Sequence, residues 1–345
     1  ASLQILVGNL NLQKGAFMKA TEAYKEARQI YEASLGRNHQ DVARTMVCLG
    51  NVAGKLRNDS EAMMLYKEAL TIQRCTLGAD HVQTAYTLDG IGVIHAHLGQ
   101  YNKAMKAFTD SLSLKDKALG KGHPDVASTL TCIGDVHVKV NDCDAAMALY
   151  KEAQKTQVAA LGNAHIELAA TLNKIGCAHA NLAKYELAME HHIEALSMYT
   201  NILGGAHPDV AQVLVNIGEI HCEWEEFDHC MIAYQEATRI QIATLGPFHA
   251  DVGITNINIG DAYRKQGERQ KAKETYQDTI TFFKLAKLNE DHPLLQLVHM
   301  KIATNDGKKW AAPTATSEFS TGNSKPAGCT SDFKCYEREA DDKDI

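Results

Sequence analysis

The chain has 345 residues, of which 45% are hydrophobic and 22% charged, as in an ordinary soluble folded protein. Its 35 lysines and arginines are outnumbered by 42 aspartates and glutamates. The resulting net charge of −7 excludes a global basic excess for holding nucleic acid. No apolar run approaches the roughly 20 residues of a membrane span, and no segment has the pattern of a secretion signal.

Internal repetition begins near the first residue and continues through most of the chain. A Leu-Gly pair recurs every 42 residues, from Leu35-Gly36 to Leu245-Gly246. A histidine keeps the same interval and makes one final step of 43: His39, His81, His123, His165, His207, His249 and His292. A glycine keeps it without slippage: Gly8, Gly50, Gly92, Gly134, Gly176, Gly218 and Gly260. Such a period is typical of a solenoid built from stacked repeats.

Each repeat predicts two amphipathic helices. In the unit around Gly134, the first-helix stripe has a helical spacing of i, i+3, i+4 and i+7: Leu130, Ile133, Gly134 and His137. After a break at Asn141-Asp142, the second helix has a stripe at i, i+4 and i+7: Ala146, Tyr150 and Ala153. We expect Leu161-Gly162 to end the pair and the junction histidines to act as turn and capping residues. Because glycine inside a helix costs about 1 kcal/mol relative to alanine, its recurrence implies close packing.

The predicted elements divide the chain into a solenoid at residues 1–303 and a disordered polar tail at residues 304–345. The solenoid comprises a partial first repeat from Gly8 to Leu35, about six complete repeats, and a capping helix from His292 to Ala303. The tail is rich in Ser, Thr, Gly, Lys and Asp, contains two prolines and has no periodicity.

The spacing of Leu130-x2-Ile133-Gly134-x2-His137 and Ala146-x3-Tyr150 resembles the tetratricopeptide pattern. That family usually has 34 residues per repeat. The longer unit, with Leu119-Gly120 and His123-Pro124-Asp125 at its junction, is similar to the 42-residue repeats of kinesin light chains and nephrocystin-type proteins. The resemblance implies an all-α, right-handed superhelical α-solenoid of antiparallel helix pairs, and it covers roughly residues 1–292.

The resemblance also implies a protein-binding function. In this family the first helix of each pair lines a concave surface. We call the corresponding positions the first-helix face; they are Asn51, Lys55, Tyr86, Asp89, Asp135, Lys139, Asn173, Gln212, Asn216, Glu219, Asn258, Asp261 and Arg264. The same count from the glycines adds Glu223 and Lys265. Solvated helix faces also vary, so a generic polar surface is the alternative interpretation.

The charges of the first-helix face restrict the kind of partner that it can bind. Asp89, Asp135, Glu219 and Asp261 make the surface acidic or mixed. We therefore expect a protein or peptide partner, extended or helical, with basic or apolar anchors, rather than nucleic acid. Two functions remain open: an adaptor or scaffold similar to kinesin light chains, and a regulatory interaction module from a larger protein with an effector domain elsewhere.

No motif indicates catalysis, a cofactor or a metal site, so we expect that the protein is not an enzyme. We also expect it to be cytoplasmic. Four histidines recur at one first-helix position, and we interpret them as packing residues rather than a metal ladder: His95, His137, His179 and His221. The nine cysteines are odd in number and include no C-x-x-C pair. We expect them to be reduced and mostly buried.

Overall fold

The computed structural model describes residues 1–286, 288 and 292–307, which form 15 α-helices and no strand. The chain divides into two compact units, Ala1–Ala178 (unit 1) and His179–Ile345 (unit 2). None of the described helices is long and apolar enough to cross a membrane.

The helices of unit 1 follow the predicted repeat. They are α1 (Ser2–Gln13), α2 (Phe17–Leu35), α3 (Gln40–Lys55), α4 (Asp59–Thr76), α5 (Val82–His97), α6 (Tyr101–Leu119), α7 (Pro124–Lys139) and α8 (Cys143–Leu161), with α9 (Ile166–Asn181) reaching the unit boundary. Unit 2 contains α10 (Tyr185–Leu203), α11 (Pro208–Glu223), α12 (Phe227–Leu245), α13 (Ala250–Lys265), α14 (Arg269–Leu285) and α15 (Pro293–Asn305).

Within each unit, consecutive helices pack against one another. In unit 1, α3 packs on α4, α5 on α6 and α7 on α8, and the second helices α2, α4 and α6 also contact the next first helix. In unit 2, α11 and α13 pack on α12 and α14 in the same way. First helices of neighbouring pairs also contact each other: α5 contacts α7, and α11 contacts α13. The predicted all-α stack of helix pairs is therefore confirmed in both units.

An aromatic ring of the second helix lies against the repeated glycine and leaves no space for a side chain there. A Cβ atom added to Gly134 would stand 2.5 Å from Cε1 of Tyr150, and one added to Gly218 would stand 2.7 Å from Cε1 of Tyr234. Ala146, in the same second helix as Tyr150, is completely buried. Small residues therefore bring the two helices of a pair together, as the sequence predicts.

The junction histidines begin the first helices. The Nδ1 atom of His123 accepts a hydrogen bond from the backbone N–H of Asp125 at 3.2 Å, which satisfies one of the unpaired donors at the start of α7. The same bond forms at the other six junctions, at His39, His81, His165, His207, His249 and His292. The capping role predicted from the sequence is confirmed.

Removal of one histidine cap should lower stability by a measurable amount. We expect His123→Ala to reduce the free energy of unfolding by about 1 kcal/mol, because the N–H of Asp125 loses its acceptor. His123→Asn should restore most of the loss, since asparagine is a favourable N-cap. Urea unfolding followed by circular dichroism measures both variants. Equal destabilisation by alanine and asparagine would show that the cap is not the source of the effect.

The cysteines do not all match the expectation. A disulfide bond joins Cys222 in α11 to Cys230 in α12, with a Cα–Cα distance of 5.5 Å, so the prediction of reduced thiols was wrong for this pair. The reason is geometric: Cys230 occupies the small-residue position at which the two helices of a pair approach most closely. Cys75 is exposed, whereas Cys143 and Cys177 are buried. Cys329 and Cys335 lie outside the described residues.

The structure describes only the first part of the C-terminal segments that the sequence predicts. Helix α15 continues to Asn305, two residues past the boundary proposed for the capping helix. Most of the predicted disordered tail, from residue 308 onward, lies outside the described residues.

Candidate functional site

Several residues of the first-helix face accept hydrogen bonds from the second helix of their own repeat. The residue after the repeated glycine accepts a hydrogen bond from the hydroxyl group of the second-helix tyrosine. Tyr66 donates to Asn51 and Tyr150 to Asp135 at 2.7 Å each, and Tyr276 donates to Asp261 at 2.6 Å. Where the second helix carries Phe108, which has no hydroxyl, the equivalent residue is Val93. Variation at this position therefore follows the internal aromatic residue.

Three carboxylates of the first-helix face are also paired with lysines. Lys115 of α6 approaches Asp89 to 2.5 Å, and Lys174 of α9 forms an ion pair with Asp135. In unit 2, Lys301 of α15 forms an ion pair with Asp261. The acidic character expected from the sequence is thus partly neutralised by lysines that come from other helices.

Exposure separates the predicted residues into three groups. Exposed are Asn51, Lys55 and Tyr86; half-buried are Asp89, Asp135, Lys139, Asn173, Gln212 and Arg264; buried are Asn216, Glu219, Asn258 and Asp261. The exposed Tyr86 donates its hydroxyl to Asp125 of the next first helix. Gln212 donates to Asn216 at 3.3 Å along α11. The first-helix face therefore combines solvent-facing side chains with buried ones that are linked by hydrogen bonds.

The structure brings five of the predicted residues together in unit 2. A shallow recess, open to solvent, is lined by residues of α11, α12 and α13: Glu219, Cys222, Glu223, Tyr234, Asn258, Asp261, Ala262 and Lys265. Asn258 Nδ2 donates to Glu219 Oε1 at 3.1 Å, and Lys265 Nζ donates to Glu223 Oε1 at 2.7 Å. We call this set of residues the α11–α13 recess. The other predicted residues are distributed along the helices of both units.

The α11–α13 recess is lined mainly by charged and polar side chains. Three carboxylates and one lysine line it, and Lys301 adds one positive charge at Asp261. Burial acts to raise the pKa of Asp261. The charge of Lys301 and hydrogen bonds from Lys301 and Tyr276 outweigh burial and hold that pKa below its usual range. Asp261 is therefore ionised near neutral pH.

The lysines that neutralise the face were missed by the sequence analysis because they belong to other elements. Lys115 lies on a second helix at a buried position, where neighbouring repeats carry Gln73 and Gln157. A charged residue at an inward-facing repeat position was the signal that could have revealed it, because a buried charge requires a partner.

The recurring first-helix histidines act at the turn between the paired helices. His95 Nδ1 lies 2.8 Å from Gln100 Oε1, and His221 Nδ1 lies 2.7 Å from Glu226 Oε2. His137 Nδ1 lies 3.3 Å from Asp142. Each of these partners is the residue that precedes the second helix of its pair. The histidines therefore connect the end of one helix to the start of the next.

Comparison with known families gives a consistent result. Two models, both described as tetratricopeptide repeat, match the chain: the first covers residues 1–75, 47–117, 83–157, 125–200 and 167–241, and the second covers residues 255–281. A search of curated proteins found no match.

Solved structures with similar folds share little sequence with the chain. The Rap conjugation gene regulator of the plasmid pLS20, in complex with the Phr* peptide, is 14% identical with a TM-score of 0.65, over 84% of this chain and 76% of that one. The apo form of RapI is 17% identical with a TM-score of 0.58, over 83% and 98%. A putative kinesin light chain repeat protein from Podosopora anserina is 16% identical over 58% of this chain and 95% of that one, with a TM-score of only 0.43.

Proposed function

Because this chain belongs to the tetratricopeptide repeat family, we propose that it is a protein-interaction scaffold that binds a segment of a partner protein on its first-helix face. The observation that carries this proposal is the rim of the α11–α13 recess, where Glu223 and Lys265 of neighbouring first helices pair at the surface. A solenoid of helix pairs offers such a surface because every repeat places its first helix beside the next.

The chemistry of the recess favours a basic anchor on the partner. Three carboxylates line it, and Glu223 is accessible, with 24% of its side chain exposed. A lysine or arginine of the partner replaces Lys265 as the counter-ion of Glu223. The Rap regulator of similar fold was solved with a bound peptide, which agrees with a peptide-sized ligand.

The finer functional assignment rests on the repeat length. The 42-residue unit favours an adaptor of the kinesin light chain-like kind, acting in the cytoplasm without a catalytic centre of its own. The recess supports this non-catalytic role, because its carboxylates are bonded to neighbouring amide and ammonium groups rather than placed beside a nucleophile.

A displayed library of random 12-residue peptides tests the proposal. We expect peptides selected on the full chain to be enriched in lysine, arginine and apolar residues. Glu223→Lys should weaken their binding at least about tenfold, because it replaces attraction with like-charge repulsion. Asp278→Lys is the matched control: it makes the same charge change at an exposed position of the second helix α14.

Two results would contradict the proposed function. One is selection of predominantly acidic peptides, which would place binding elsewhere. The other is equal affinity of the selected peptides for wild type and Glu223→Lys, measured by fluorescence anisotropy with the Asp278→Lys variant beside them.

A further inference from the structure

Three side chains with metal-ligating atoms meet at the turn between α11 and α12. His221 lies in the last turn of α11, Glu226 immediately precedes α12, and His229 lies in the first turn of α12. One ligand atom from each lies within 4.8 Å of the others. His221 Nδ1 is 2.7 Å and His229 Nδ1 is 3.8 Å from the same carboxylate oxygen of Glu226, and the two imidazole rings have centroids 5.3 Å apart. We call these residues the His221 cluster.

The equivalent turns of other repeats show which part of this arrangement is general. His95 with Gln100, and His137 with Asp142, repeat the contact between the first-helix histidine and the residue before the second helix. Three residues further on, those turns carry Lys103 and Ala145 instead of a histidine. The turn contact therefore accounts for His221 and Glu226, whereas His229 adds a third donor that these two turns lack.

We propose that the His221 cluster binds a divalent transition-metal ion, with zinc as the expected occupant. Two imidazoles and one carboxylate are donors that zinc accepts at about 2.0–2.2 Å, and a tetrahedral site with such bonds places its donors about 3.4 Å apart. The observed separations, from 2.7 to 4.8 Å, lie on both sides of that value. His229 and Glu226 have 69% and 48% of their side chains exposed, so rotation about their own bonds brings the donors to ligand distance.

The same donor set argues against magnesium and calcium, which prefer oxygen ligands. Exposed carboxylates next to the cluster, at Glu225 and Asp228, add negative potential that attracts a cation. Three protein ligands leave the fourth position to water. A bound ion ties the end of α11 to the start of α12, beside the Cys222–Cys230 disulfide, so metal binding stabilises this helix pair.

Zinc and cobalt titrations of the full chain test this proposal. Because thiols also bind these metals, the experiment uses a background with Cys75→Ser, Cys329→Ser and Cys335→Ser. We expect one zinc ion per chain by isothermal titration calorimetry, a visible cobalt absorption spectrum, and a melting temperature that rises with zinc concentration. His229→Ala should weaken zinc binding at least about tenfold and abolish the thermal shift.

The variants are chosen so that folding does not obscure the outcome. His229 is exposed, and circular dichroism of His229→Ala should match that of the background protein. His123→Ala, which removes a histidine far along the sequence, is the matched control and should bind zinc as the background does. Absence of stoichiometric zinc binding to the background protein, or unchanged affinity in His229→Ala, would overturn the proposal.

Discussion

Replacing Lys115 by glutamine is expected to lower the free energy of unfolding of unit 1 by about 3 kcal/mol. Lys115 is 2% exposed, and its Nζ atom donates to Asp89 at 2.5 Å, to Thr129 Oγ1 at 2.9 Å and to the carbonyl of Asp125 at 3.1 Å. Removing the ammonium leaves Asp89 without its counter-ion, and breaking a buried pair typically costs about 3–5 kcal/mol. Because 19% of the Asp89 side chain is exposed, water offsets part of this cost, and we expect the lower end of that range.

The repeat itself supplies a rescue for this variant. At the equivalent position of neighbouring repeats, Gln73 and Gln157 accept hydrogen bonds from Thr87 and Thr171 at 2.7 and 2.8 Å. The residue that corresponds to Asp89 one repeat later is Thr131. Lys115→Gln combined with Asp89→Thr therefore recreates an arrangement that the fold already accommodates. We expect the double variant to recover most of the lost stability, since neutral replacements of a buried ion pair are often tolerated.

Urea unfolding of the two single variants and the double variant forms a complete double-mutant cycle. Lys117→Gln, at an exposed position of the same helix α6, controls for loss of charge without loss of burial and should change stability little. The interpretation fails if Lys115→Gln unfolds at the same urea concentration as wild type. It fails equally if the double variant is no more stable than Lys115→Gln.

The fold could be predicted from the sequence because its determinants repeat in register. A glycine, a small residue and an aromatic residue recur at fixed spacing, and each has one local contact to satisfy, as Gly134 does with Tyr150. The histidine caps were predictable for the same reason, since a cap bonds to the backbone two residues away. Local and repeated interactions leave a periodic signal that a single sequence reveals.

The site was less predictable because its interactions join elements that are distant in sequence. Counting from the glycine places a residue on the first helix, but it does not reveal that Lys301 reaches Asp261 across 40 residues. Nor does it show that Asn51 already accepts a hydrogen bond from the hydroxyl group of Tyr66. The α11–α13 recess arises where Glu223 and Lys265 of successive repeats meet, and the same count had assigned both residues to the first-helix face. The sequence could identify the face, but the charges left for a partner depend on these internal pairs.

A buried histidine makes the stability of unit 2 depend on pH. His192 occupies the second-helix position that holds Tyr150 and Tyr234 in other repeats, and it is 1% exposed. Burial, with a smaller contribution from the charge of neighbouring His191, lowers the pKa of His192 to about 3. In the unfolded chain the pKa of a histidine is about 6.5. Between these two values the unfolded chain binds a proton that the folded chain does not.

The sign of the effect follows from this difference. Above about pH 6.5 the histidine is neutral in both the folded and the unfolded state, so it does not lower the free energy of unfolding. As the pH falls below that value, protonation favours the unfolded chain by about 1.4 kcal/mol per pH unit, until the folded pKa is reached. We therefore expect unit 2 to lose about 2 kcal/mol of unfolding free energy between pH 7.5 and pH 5. Asp261, whose pKa is lowered, contributes to acid sensitivity only at still lower pH, because its stabilisation is lost as the carboxylate protonates.

His192→Phe should remove most of this pH dependence, since phenylalanine cannot take up a proton and Phe108 already fills the same repeat position in α6. The unfolding free energy of wild type and variant should be measured in urea at pH 7.5, 6 and 5. With a chelator in every sample to exclude bound metal, His229→Ala, which removes an exposed histidine of unit 2, should leave the wild-type slope unchanged. A slope that persists in His192→Phe would assign the acid sensitivity to other groups. A flat wild-type profile would mean that His192 reaches solvent before unit 2 unfolds.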